Sequence, residues 1–260
     1  MARREIRWSW RRLALVALTG MLAGPLLDAD GVTRAQRYAA FTTPTPLGPG
    51  ETLVLGFLGG RDDWNDDRRA VRALALKLRA MELPGVRVET VENTKRTIAL
   101  RLIREAFDRN SDGRLDDAER AGARLIVYGQ SFGGAAVVKL AKQLEELGVP
   151  ILLTVQIDSV GLGDAVIPPN VRRAANLYQD SGWLIEGEAP IRAADPARTE
   201  IIGNFEYDYR ESDIDISHVS FWRKLFRHAH TRMEFDPAVW SHVETLILGE
   251  LRGSAALQAH

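Results

Sequence analysis

An α/β fold, with a mostly parallel doubly wound sheet and helices on both faces, is predicted by two patterns in this chain. Short runs rich in Val, Ile and Leu alternate with longer amphipathic stretches, the order expected of linked β–α–β units. The short runs are apolar at nearly every position rather than at every second one, as strands covered on both faces must be. At 260 residues the chain suits one large domain with a short leader.

The first 35 residues stand apart from the rest. Arg3, Arg4, Arg7, Arg11 and Arg12 form a basic head, and residues 13–27 form an apolar run broken by Gly20, Gly24 and Pro25. A membrane-spanning helix needs about 20 apolar residues, so a run this short behind a basic head reads as a secretory signal. Ala29 and Ala35 offer small residues for cleavage, and Arg11-Arg12 resembles a twin-arginine pair in a poorly matching context. The expectation is export to the periplasm or the extracellular space. The alternative is an uncleaved N-terminal membrane anchor that keeps the protein near a membrane. Residues 36–50, rich in Pro, Thr and Gly from Thr42 onward, read as a linker. The folded domain is expected over 51–260.

Within that domain the strand-like runs are 52–58, 86–91, 125–128, 151–157 and 200–207. Residues 65–82 place Val71, Leu74, Leu78 and Met81 on one helical stripe, and 95–107 repeat the pattern with Ile98, Leu102 and Ile103. A third helix, 132–147, begins with small residues and is stopped by Gly148-Val149-Pro150. Asp236-Pro237 opens a last helix, with Asp as cap and Pro at the first helical position. Residues 158–198 are less regular and read as loops and short helices with room for one strand.

The strand ending in Tyr128 runs into Gly129-Gln130-Ser131-Phe132-Gly133-Gly134. This G-x-S-x-G stands between a strand and a helix of small residues, where a serine hydroxyl is exposed above the sheet on a tight turn. A glycine-rich turn could instead bind phosphate, but neither G-x-G-x-x-G nor a P-loop lysine is present. From residue 52 to the end, in motif and in order of elements, the chain resembles the α/β-hydrolase family of lipases, esterases and thioesterases. The resemblance implies a triad in the order Ser, acid, His, with Ser131 as nucleophile. Asp158, at the end of the next strand, is the implied acid, and Asp195 and Asp208 are the reserves. The implied base lies in the loop before the last helix, where His230 is favoured over His218. His228 and His242 read as helical surface or packing residues. An oxyanion hole is implied from the Phe132 N–H and from Phe57 or Leu58 on the first strand, where Gly56-Phe57 replaces the family's His-Gly.

A second motif precedes the serine strand. Residues 108–119 match an EF-hand loop. Asp108, Asn110 and Asp112 would supply side-chain oxygens to calcium, Arg114 its carbonyl, Asp116 a water-mediated contact and Glu119 a bidentate carboxylate. Gly113 would permit the sharp turn. Only residues 120–123 separate Glu119 from the next strand, so the exiting helix must be short, and no second loop is present for pairing. The alternative is a solvated acidic turn.

Composition narrows the chemistry further. Lys and Arg total 34 against 35 Asp and Glu, so no global field favours nucleic acid. The absence of cysteine excludes disulfides, thiolate metal sites and a cysteine nucleophile. No motif for an organic cofactor is present. The expected function is cleavage of a small-molecule or lipid ester, or a thioester, with calcium in a structural role. An acyltransferase with the same triad is the nearest alternative. A catalytically silent calcium-binding interaction protein is the alternative of another class.

Overall fold

The computed structural model describes residues 35–179, 190–210, 214 and 230–256. The leader expected over 1–35 lies outside these apart from Ala35, as do His218 and His228. Among the described residues no helix is long and apolar enough to cross a membrane.

Six strands form one sheet: β1 (Thr52–Leu58), β2 (Val86–Glu92), β3 (Leu125–Gln130), β4 (Ile151–Ile157), β6 (Val171–Tyr178) and β8 (Glu200–Glu206). Their order is β2-β1-β3-β4-β6-β8, and every pairing is parallel. The crossovers carry α1 (Ala70–Ala80), α2 (Arg96–Phe107), a five-residue α3 (Asp117–Ala121) and α4 (Phe132–Glu146), and α5 (Pro237–Ala256) closes the chain. The span left irregular by sequence holds β6 and two short strands, β5 (Val166–Ile167) and β7 (Arg192–Ala193), paired with each other.

The apolar runs divide their side chains between two cores. Leu53, Leu55 and Phe57 of β1 and Leu125 and Val127 of β3 pack with Leu102, Ile103 and Phe107 of α2 and with Val137, Leu140 and Leu144 of α4. Val54, Leu58, Ile126 and Tyr128 face the other way, with Leu74 and Leu78 of α1 and Val239, Val243 and Ile247 of α5. Adjacent residues of a strand point to opposite faces, so strands buried on both sides must be apolar throughout. That is the doubly wound α/β arrangement expected from sequence.

Residues 36–50 do not run free of the domain, because the compact unit begins at Gln36. Gln36 donates its side-chain amide to the Thr90 carbonyl (2.8 Å), and its side-chain carbonyl accepts the Glu92 N–H (3.1 Å). Strand β2 is an edge of the sheet, so Gln36 takes the place of a further strand on backbone groups that would otherwise be open. Buried Glu89 fastens the same segment. One of its oxygens accepts from the backbone N–H and hydroxyl of both Thr42 and Thr43 at 2.7–3.0 Å, and the other pairs with Arg79 at 2.7 Å.

The winding of the chain reverses between β1 and β3. β1 leads through α1 to β2 on one side, and β2 leads through α2 and α3 to β3 on the other. A crevice opens at such a switch point, beyond the carboxyl ends of the strands. α4 leaves β3 there and crosses very close to β1. A Cβ at Gly133 would stand 2.1 Å from the Phe57 carbonyl oxygen and 2.8 Å from that of Leu58. We predict that Gly133→Ala destabilises the fold by at least about 2 kcal/mol through overpacking, measured as a lowered midpoint in urea unfolding.

Candidate active site

Ser131 is the residue between β3 and α4. Its φ of 57° and ψ of −125° lie where a side chain is strained, as a hydroxyl raised on a sharp strand-to-helix turn requires. The turn is fastened on both sides of Asp158. The Ser131 N–H donates to the Ile157 carbonyl at 2.9 Å, and the Ser131 carbonyl accepts the Val160 N–H at 3.1 Å. The ends of β3 and β4 are thereby locked together, with Ser131 and Asp158 on adjacent strand ends.

Asp158 follows β4 and also has positive φ, at 44°. Its side chain is fully buried, and its Oδ2 lies 2.6 Å from Nδ1 of His230. His230 is 4% exposed and lies in a helical segment, described over 230–234, rather than in the loop expected before the last helix. The two residues are 72 positions apart in sequence. With Nδ1 against a carboxylate, that nitrogen carries the proton and Nε2 is left as the basic atom. Of the other acids considered, Asp195 accepts the Ala197 N–H in its own turn and Asp208 is held by Arg210. His242 packs edge-to-face on Phe205 at 4.4 Å with Nδ1 3.0 Å from the Tyr207 hydroxyl, and burial lowers its pKa. It is a packing residue, as its place on a helix implied.

The residues implied as oxyanion donors stand in different settings. Phe132 N–H is at the first position of α4, where no intrahelical acceptor exists. Phe57 and Leu58, however, lie inside β1. Both pair with β2 and Phe57 also with β3, so their N–H groups point along the sheet to neighbouring strands. The first residue beyond the strand is Gly59, and a Cβ there would stand 3.1 Å from Cβ of Ser131. Gly59 is therefore the loop residue beside Ser131, and Gly60 follows it in the same turn. Asn93, which sequence reading passed over, holds this turn in place. Its side-chain amide donates to the carbonyls of Leu58 (3.1 Å) and Gly60 (2.6 Å). A lone Asn in a turn carries no sequence sign of such a role.

The turn bearing His230 has its own supports. Arg232 donates to the Tyr209 carbonyl at 3.0 Å, and the Tyr209 hydroxyl donates to Asp236 at 2.6 Å. Burial, then the Asp236 hydrogen bond, push the Tyr209 phenol far above its ordinary pKa, so it stays a donor. Asp236 also accepts the Ala238 N–H at 2.8 Å, the capping role expected at the start of α5. Glu234 reaches across to Arg69 at 3.3 Å, and Arg69 is also 3.2 Å from Asp62 and 3.2 Å from Asp66. Burial opposes the charge on Arg69, but Asp62, Glu234 and Asp66 outweigh it and hold its pKa above the ordinary value.

The 108–119 loop lies at the other end of β3. It folds as a compact turn in which side-chain oxygens gather backbone N–H groups. Asp108 accepts from Asp112 (3.1 Å) and Gly113 (2.8 Å), Asn110 from Asp112 (2.9 Å) and Asp112 from Arg114 (2.8 Å). Glu119 accepts from Arg109 (2.8 Å), Asn110 (3.2 Å) and Asp116 (3.0 Å). Asp116 caps α3 by accepting the Glu119 N–H. The all-oxygen donor set has the chemistry of a hard-cation site. Its present aim does not, because the carboxylates are turned onto loop N–H groups. Among the described residues no group of three His, Asp or Glu side chains stands together to hold a metal ion.

No protein-family model and no curated protein matches the chain. Among solved structures it is similar to a novel cutinase-like protein from Cryptococcus sp.. The identity is 13%, with 77% of this chain and 95% of that one covered and a TM-score of 0.41.

The strained backbone of Ser131 yields a test that needs no substrate. Glycine adopts positive φ without penalty, so Ser131→Gly should raise stability by about 1 kcal/mol, read from denaturant midpoints. A lower midpoint would mean that bonds made by the serine side chain outweigh its backbone strain.

Proposed function

We propose that this chain is a serine hydrolase that cleaves an ester or thioester through an acyl-enzyme, with Ser131, His230 and Asp158 as its triad. One observation carries the reading. A buried Asp158–His230 pair at 2.6 Å stands on the strand end next to a serine held in a strained strand-to-helix turn. Nothing in the packing of a core calls for an imidazole on a buried carboxylate at that place, whereas acyl transfer does.

In this reading the Ser131 hydroxyl oxygen attacks the substrate carbonyl carbon and its proton passes to Nε2 of His230. Asp158 keeps the ring in the tautomer that can accept it and stabilises the imidazolium that results. Negative charge develops on the carbonyl oxygen, opposite Phe132 N–H and an N–H from Gly59 or Gly60. The tetrahedral centre collapses, and the leaving alcohol or thiol takes the proton from His230. Water, deprotonated by the same nitrogen, then releases the acid and restores Ser131. The substrate is read as a small-molecule or lipid ester, and export as the role of the leader with its basic head and apolar run.

Labelling by a fluorophosphonate and turnover of a short aryl ester test the assignment together. Wild type should do both. Ser131→Ala should do neither while remaining folded, and Asp158→Asn should lose roughly 10⁴-fold in kcat. His230→Ala should cost far more than His218→Ala in a single-turnover assay; the reverse result reassigns the base. A folded wild type without label would favour the silent calcium-binding protein. Label together with transfer to an added alcohol in preference to water would favour an acyltransferase.

Calcium at the 108–119 loop is the second part of the proposal. Asp108 and Glu119 are both more than nine-tenths buried, and neither is within ion-pair distance of a lysine or arginine among the described residues. Calcium would neutralise them in exchange for some of their N–H bonds. A cation that binds only the folded state raises stability by mass action. We expect a higher Tm in millimolar-range calcium than in chelator, a smaller rise with magnesium, and loss of the increment in Glu119→Gln. Equal melting temperatures would identify the loop as a turn complete in itself.

A further inference from the structure

Arg69 occupies an odd place for a cation. It is the N-cap of α1, where its side chain makes no capping hydrogen bond and where the positive end of the helix disfavours it. Its guanidinium instead meets three carboxylates on two separate segments, Asp62 and Asp66 from the loop after β1 and Glu234 from the helical turn that carries His230. Glu234 is 3% exposed and stands four residues after His230, one helical turn along. A carboxylate so buried needs a partner, and losing that partner is costly.

The two segments carry the two halves of the proposed chemistry. Asp62 closes the turn that begins at Gly59 by donating its N–H to the Gly59 carbonyl at 3.1 Å, and Gly59 lies against Ser131. Asn93 fixes this turn from the β2 side through the Leu58 and Gly60 carbonyls. Arg69 joins the turn to the segment holding the base. His230 itself is tied to Asp158, and Glu234 sets where the far end of its helical turn lies.

We propose that Arg69 is a positioning residue that sets the loop with the oxyanion donors in register with the turn carrying His230, by gathering Asp62, Asp66 and Glu234 on one guanidinium. This rests on the triad reading above. Arg69 acts by keeping two independently anchored segments at a fixed separation. Misplacement of a catalytic group by about 1 Å can cost about 100-fold in rate, so a side chain with this task affects turnover more than binding.

The test compares wild type, Arg69→Met, Arg69→Lys and Glu234→Gln as full chains, with a short aryl ester and a fluorophosphonate. Arg69→Met should lower kcat by roughly 10- to 100-fold with KM within about threefold. The rate of phosphonylation should fall by a similar factor. Arg69→Lys keeps the charge but not the fork, and should recover part of the loss. Glu234→Gln should resemble Arg69→Met, which keeps the question decidable should the methionine variant fail to fold. Variants that melt earlier but keep wild-type kcat and labelling rate at a temperature where they are folded would overturn the proposal and make Arg69 a structural ion pair. A wild type with neither turnover nor label would remove the triad reading and this one with it. An active wild type with unaffected variants would remove this one alone.

Discussion

The backbone of Ser131 is held in a conformation that a serine does not choose, and much of the structure is arranged around it. A strained residue persists only where its surroundings over-determine it. Here its N–H is bonded to Ile157 and its carbonyl to Val160, so the end of β4 brackets the turn. Gly133 lets α4 approach the carbonyls of Phe57 and Leu58, and Gly134 lets it approach the side chain of Ser159. Three neighbouring strands in parallel register make this bracketing available, because β1, β3 and β4 end at the same edge. In an antiparallel sheet, adjacent strands would end on opposite edges.

The second constraint is electrostatic. Several carboxylates are buried, and each has been given a different compensation. Asp158 has His230, Glu234 has Arg69, and Glu89 has Arg79 with four further donors. An ion taken out of water is tolerated only when paired or well hydrogen-bonded, so these contacts serve as fixed points that hold segments together. They occur where the chain must join parts distant in sequence: the segment before β1 to the β2 edge, and the loop after β1 to the turn before α5. Asp108 and Glu119 differ, since backbone N–H groups alone surround them. They also lie at the far end of β3, and six strand residues span about 20 Å. A cation there would act on the stability of the domain rather than on chemistry at Ser131.

The sheet and the strand-to-helix turn at Ser131 were legible in the sequence because both are written locally. A strand buried on both faces needs a run of apolar residues, and such runs mark β1, β3 and β4 closely. The strand-to-helix turn needs small residues at fixed offsets from Ser131, and G-x-S-x-G is that requirement in letters. The five-residue α3 was likewise set by the short stretch between Glu119 and the next strand. Strand β6 was less visible, because Arg172, Arg173 and Asn176 interrupt its apolar run.

What tertiary structure alone decided is which distant residues meet. Position in the chain nominated Asp158 and favoured His230 over His218, but that the two side chains meet at 2.6 Å across 72 residues is a fact of the fold alone. That Gly59 rather than Phe57 or Leu58 is the first residue beyond β1 and lies against Ser131 turned on where the strand ends, which is set by pairing with β2 and β3 rather than by β1's own letters. Asn93, Arg69 and Glu234 carried no motif at all. Periodicity and turn chemistry act over a few residues and can be read from them, whereas a side chain that bridges two segments has meaning only after the fold has brought those segments together.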